Sequence, residues 1–124
     1  MASSLQDSLG QGHLVAGKVT ASAGTAAVLT SNDGSATLTR VAAGEYTVTF
    51  GDAFLTAPVV TGTSLKAFGT ATTSTDVVVV MIEAVSTSAV TFNLFDVVGV
   101  ATATTGDQSD AADFHFVAFG LRNN

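Results

Sequence analysis

The stretch GEYTVTF, Gly44 to Phe50, alternates between two kinds of side chain. On an extended strand Tyr46, Val48 and Phe50 point to one side, while Glu45, Thr47 and Thr49 point to the other. One face is apolar and the other hydroxylated and acidic, the pattern of a strand that covers a core on one side only. Gly44 supplies a turn in front of it. The fold class follows from how much of the chain repeats this pattern.

Outward from that stretch, β-branched and aromatic runs are separated at short intervals by glycine, Asn-Asp-Gly and polar clusters. This punctuation predicts eight strands, near residues 13–20, 25–30, 36–42, 45–50, 58–63, 77–85, 89–96 and 114–121. SNDG, Ser31 to Gly34, offers the Asx and left-handed conformations of a tight turn, and AAGE, Ala42 to Glu45, reads as the next hairpin connection. The second to fourth strands are therefore expected to form a meander. The lone proline, Pro58, marks a strand start, where a missing N–H costs least. No segment longer than a dozen residues has a helical period, so a parallel sheet with helical crossovers is not expected. The fold class is an all-β, antiparallel β-sandwich, jelly-roll-like, over residues 13–124; the strand order, jelly-roll or immunoglobulin-like, stays open. Residues 1–12 read as a short N-terminal arm in which Leu5 and Leu9, at helical spacing, are candidate docking contacts.

Two strands are apolar on both faces. VVVVMI, Val77 to Ile82, lies between Asp76 and Glu83 and reads as a central strand covered on each side, the acids guarding against edge pairing. FHFVAFGL, Phe114 to Leu121, sets Phe114 and Phe116 on one face and Val117, Phe119 and Leu121 on the other. Covering both faces in so small a sandwich takes a subunit interface or a loop, such as residues 62–75, folded over the outside. Val78, Val80, Ile82, Phe114, Phe116, Val117 and Phe119 are the candidate interface residues.

Composition points the same way. The chain is 124 residues long, 47% hydrophobic and 11% charged, where a typical charged share is about 25%. A Thr/Ser/Ala/Gly-rich surface so poor in charge suits a subunit that meets other protein. The net charge of −6, with only Lys18, Arg40, Lys66 and Arg122 as scattered cations, argues against nucleic acid or an anionic membrane as partner. There is no cysteine, so disulfides, thiolate catalysis and cysteine-ligated zinc are excluded. The first fifteen residues carry no basic and apolar regions of a signal peptide, and Val77 to Ile82 is too short to span a bilayer.

Candidate chemistry is sparse. Asp107, Asp110 and Asp113 in GDQSDAAD raise a calcium site, but their spacing lacks the alternate ligands and closing glutamate of the known calcium loop. Asp113 and His115 share a strand face and form a structural pair or half a metal site. His13 and His115 are the only candidate bases, no Gly-x-Ser-x-Gly elbow occurs, and Glu45 and Glu83 sit at strand boundaries where a solvated role suffices. The eight phenylalanines and one tyrosine, without tryptophan, suit a core and an interface better than a sugar-binding stripe. No enzyme, metal, cofactor or small-molecule substrate is expected.

GEYTVTF, followed by Ala53-Phe54 and APVV at Ala57 to Val60, with VTFNLFDVVG and a closing FHFVAFG, resembles small β-sandwich proteins of tailed-phage particles. The likeness covers about residues 18–122. It implies a virion structural subunit, usually a homotrimer, that decorates or cements a capsid against the major capsid protein after assembly in the host cytoplasm. The alternative it implies is a receptor- or glycan-binding knob of a tail fibre, spike or baseplate, with residues 62–75 or 99–113 as the contact loops. No heptad or short repeat precedes the domain, which favours the stand-alone decoration protein over a fibre tip.

Overall fold

The computed structural model describes residues 12–20, 27–65, 76–98, 107–108 and 113–123. Among them are nine strand segments: β1 (Gly12–Thr20), β2 (Val28–Ser31), β3 (Thr37–Ala42), β4 (Glu45–Thr49), β5 (Val59–Leu65), β6 (Asp76–Val85), β7 (Ala89–Val98), β8 (Asp107–Gln108) and β9 (Asp113–Leu121). They form two antiparallel sheets. The first runs β2-β1-β9-β5; the second runs β3-β4-β7-β6, with the two-residue β8 paired to Phe95 and Asp96 of β7. The fold is the expected antiparallel β-sandwich. The strands at the two ends of the sandwich sequence, β1 and β9, lie side by side over eight paired positions.

The alternation in GEYTVTF sets the inside of the second sheet. Tyr46 and Val48 are fully buried and Phe50 nearly so, while Glu45, Thr47 and Thr49 face outward. On that outer face Thr47 Oγ1 lies 2.9 Å from Thr91 Oγ1 of the neighbouring strand, a hydroxyl pair of the kind that stabilises a cross-strand position. The core between the sheets is aromatic. Phe92 of β7 packs on Phe114 and Phe116 of β9 with ring centroids 5.0 and 5.4 Å apart, and Tyr46 lies 6.0 Å from Phe114. The Phe116 ring also occupies the space over Gly17, where an added Cβ would come within 2.9 Å of both the ring and the Thr30 carbonyl oxygen. Gly44, at φ 69°, makes the tight β3–β4 connection in a conformation that favours glycine.

The segment after β4 closes one end of the sandwich. Phe50 N donates to Ser88 O, Phe54 N to Thr87 O, and Leu55 N to Leu121 O. Phe54 is buried against Phe50 and against the His13 ring, at centroid distances of 4.9 and 4.6 Å. Pro58 directly precedes β5, so its missing N–H falls outside the ladder.

Three expectations are corrected. The second to fourth strands are not a meander: β2 pairs with β1 in one sheet and β3 with β4 in the other, so Ser31 to Gly34 carries the chain between sheets. SNDG uses no left-handed residue, since Gly44 is the only described residue with positive φ. Its side chains replace the hairpin instead. Asn32 Oδ1 accepts from Ala16 N at 2.7 Å and its Nδ2 donates to Leu14 O at 2.9 Å, continuing the ladder beyond Ser31 with an amide side chain. Asp33 accepts from the backbone N–H of Ser35 and of Gly51, both at 3.0 Å. Partial burial alone would raise the Asp33 carboxyl, but these hydrogen bonds, the Ser35 hydroxyl and the nearby His13 hold it below its ordinary 3.8. The third correction concerns β6, which among the described residues ends its sheet and does not lie centrally in it. Its inner side is covered by β5 of the opposite sheet, where Ser64 Oγ donates to Val78 O at 2.6 Å, and its outer side carries Val79 and Met81 exposed.

Phe92→Ala removes the ring that joins the central strands of the two sheets and should lower unfolding stability by about 3–5 kcal/mol in denaturant melts. Asn32→Ala should cost about 1–2 kcal/mol, because two backbone groups of β1 lose their partners in the native sheet.

Candidate interaction surface

The central strand β9 is apolar on both sides, and its inner half is spent on the core. Phe114, Phe116 and Ala118 are buried; Val117, Phe119 and Leu121 are exposed on the outer face of the first sheet. Register brings further apolar residues beside them. Leu14 of β1, Phe119 of β9 and Val59 of β5 stand in one row across three strands, and Ala16, Val117 and Thr61 form the next. Phe119 is 57% exposed and Val59 73%. Leu121, opposite Gly12, and exposed Leu55, whose backbone N bonds Leu121 O, extend the surface towards the closed end of the sandwich. At strand spacings of about 4.8 Å and about 3.4 Å per residue, the patch spans roughly 10 Å across the strands and roughly 14 Å along them. That footprint is within the few hundred Å² of apolar surface that a monomer commonly exposes; what sets it apart is the unbroken row across three paired strands.

The other end of the same face is polar. The row Lys18, His115, Thr63 lies one step beyond Val117, and Lys18 Nζ sits 3.7 Å from Asp113 Oδ2. This half-exposed pair is worth at most about 1 kcal/mol. Between β5 and β9 a depression lined by Thr61, Thr63, His115 and Val117 holds about 70 Å³, far less than the roughly 300–1,000 Å³ of a small-molecule site. This face offers contact area, not an enclosed cavity.

The outer face of the second sheet differs in charge. Glu45 of β4 stands opposite Asn93 of β7, and Asn93 Nδ2 donates to Glu83 Oε2 at 3.0 Å. Desolvation against the sheet, the charge of Glu83 and a hydrogen bond shared with it raise the Glu45 carboxyl above its ordinary 4.5. Two carboxylates are thus held close on a face that also presents Thr39, Thr47 and Thr91 and, on its β6 side, the exposed Val79 and Met81.

No known protein-family model, curated protein or solved structure matches this chain.

Of the interface residues expected from sequence, Val78, Phe114 and Phe116 are enclosed in the chain's own core, so they have no surface left for a second subunit. Their apolar alternation belongs to the contact between the two sheets. Val80 packs against the same core, and Ile82 is part-exposed beside it at the sheet edge. Val117 and Phe119 are on the outer face. The arm residues Leu5 and Leu9, and Asp110 of the acidic loop, lie outside the described residues, whereas Asp107 is in β8. Asp113 and His115 share the outer face, with Asp113 against Lys18. Among the described residues no three His, Asp or Glu side chains gather where they could hold a metal ion. His13, an expected candidate base, faces inward against Phe54, its buried Nε2 without a hydrogen-bond partner. Leu14, Leu55 and Val59 were not singled out from sequence, and Leu121, set on the outer face with Val117 and Phe119, was not among the expected interface residues. Their alternation was visible, but their significance depends on which strands flank β9.

The raised Glu45 carboxyl fixes a sign. Because folding raises its proton affinity, the ionised pair costs stability above the folded value, and that cost is relieved as the pH falls towards 4.5. Glu83→Gln should therefore melt higher than wild type at neutral pH, with the two curves converging on acidification, and NMR titration should find Glu45 closer to its ordinary value in the variant.

Proposed function

We propose that this chain is a non-enzymatic structural subunit of a virion, a capsid decoration or cement protein that acts through protein–protein contact at the particle surface. The observation that carries the reading is the apolar face formed by β1, β9 and β5, with Phe119 at its centre. A single small domain gains nothing from leaving such a row in water, and covering it with protein releases about 25 cal/mol for each Å² of apolar surface buried.

Two further features support it. The charged share of 11% leaves few groups that resist close packing with neighbours. The motifs that resemble phage-particle sandwiches fall on the framework strands: GEYTVTF on β4, Pro58-Val59-Val60 at the entry to β5, TFNLFDVV on β7 and FHFVAFG on β9. They include the strand that supplies both the core phenylalanines and the exposed face.

The test is copy number. In purified particles that carry the protein, its amount relative to the major shell protein should be near one per shell subunit, or a fixed simple fraction of it. A few copies per particle would move it to a tail, spike or fibre as a receptor- or glycan-binding knob. Absence from particles would overturn the virion assignment.

A further inference from the structure

The two outer faces of the sandwich differ in a way that bears on what covers them. The chain carries a net charge of −6, so any two copies repel unless they meet where the acidic excess is not. On the second sheet the outer face presents Glu45 and Glu83, close enough that the charge of Glu83 helps to raise the Glu45 carboxyl. Asp33 and Asp52 lie in the turns at the closed end of the sandwich, where Asp33 binds Gly51. On the first sheet, β1, β9 and β5 place one ion pair, Lys18 with Asp113, beside their apolar rows. Among the described residues of these three strands, that lysine and that aspartate leave the face without net charge.

We infer that the outer face of the first sheet is a self-association surface whose occupant is a second copy of this chain. The inference deepens the reading given above and rests on it only in taking the face to be covered by protein. Three features select another copy. The face is the charge-balanced one on an acidic molecule, so it is where like-charged copies approach at least electrostatic cost. Its apolar rows sit on the central strand and both neighbours, giving a contact whose middle is aromatic and aliphatic and whose Lys18, His115 and Asp113 end is polar, the order of residues found across protein interfaces. A patch of roughly 10 by 14 Å is only part of the roughly 800 Å² per partner that a stable association takes, and the matching sheet of a second copy is wide enough to cover the polar row beside it as well. A lipid surface is disfavoured, because anionic membranes select clustered cations and this face brings one lysine, already paired with Asp113.

In the complex, the first sheets lie inward against each other and the second sheets turn outward, with Thr39, Thr47, Thr91 and the Glu45–Glu83 pair facing solvent. Phe119 and Val59 become the residues whose exposure changes most. The partly formed dimple by Thr61 and His115 is then covered from above.

Sedimentation velocity on the purified full chain across the micromolar range tests this. Wild type should sediment as an oligomer that dissociates on dilution. Phe119→Asp and Val59→Asp, both on exposed positions, should weaken association by at least about tenfold while melting within a few degrees of wild type. Phe119→Thr, which keeps a strand-favouring side chain, should weaken it in the same direction and guards against a folding defect in the aspartate variants. Met81→Asp, exposed on the other sheet, should leave association unchanged. A wild-type chain that stays monomeric throughout would overturn the inference, as would first-sheet variants that keep the wild-type mass or a Met81→Asp variant that dissociates. A monomer that instead floats with neutral phosphatidylcholine vesicles would assign the face to lipid and overturn it too. Sedimentation uses the isolated chain and copy number uses particles, so either idea can fail without the other.

Discussion

Phe92 of β7 touches both Phe114 and Phe116 of β9, and the rest of the molecule depends on that contact. It joins an interior strand of one sheet to an interior strand of the other, so it sets their spacing and, through the ladders, positions β1, β5, β4 and β6. It also decides a second matter. Once the odd-facing half of FHFVAFGL is committed inward, the period of two leaves Val117, Phe119 and Leu121 no choice but the outside. The core and the exposed face are two sides of one strand.

That coupling explains how much was legible in the sequence. Strand identity is local: alternation in GEYTVTF and β-branched composition in VVTGTSL are written in consecutive residues, so the strands come close to their expected bounds. Partnership is not local. That β2 lies beside β1 and not β3 depends on Asn32 and Asp33 spending their side chains on Leu14, Ala16, Ser35 and Gly51, which no spacing rule reveals. The doubly apolar VVVVMI misled because two apolar faces were taken to mean two covered faces. At an edge, one of them is simply left open. Likewise Leu14 and Val59 look ordinary until register sets them on either side of Phe119.

The two faces divide the surface by physics. One is apolar along its central row and charge-balanced; the other is hydroxylated and acidic over β3, β4 and β7, with Val79 and Met81 exposed on β6. The second keeps water through hydroxyls such as the Thr47–Thr91 pair and through carboxylates held closer than they prefer. An acidic protein with one charge-balanced face has a preferred direction of approach, which matters for a subunit that must be added to an assembly in one orientation.

The amide of Asn32 has a consequence of another kind. Its carbonyl oxygen and one of its two N–H groups are engaged by the backbone of β1, so where β2 stops, the Leu14 carbonyl and the Ala16 amide at the lateral boundary of the sheet already have partners. An incoming extended chain finds no vacant amide and carbonyl there to template on. Fibrous growth, which proceeds one hydrogen-bonded strand at a time, is closed off at that margin.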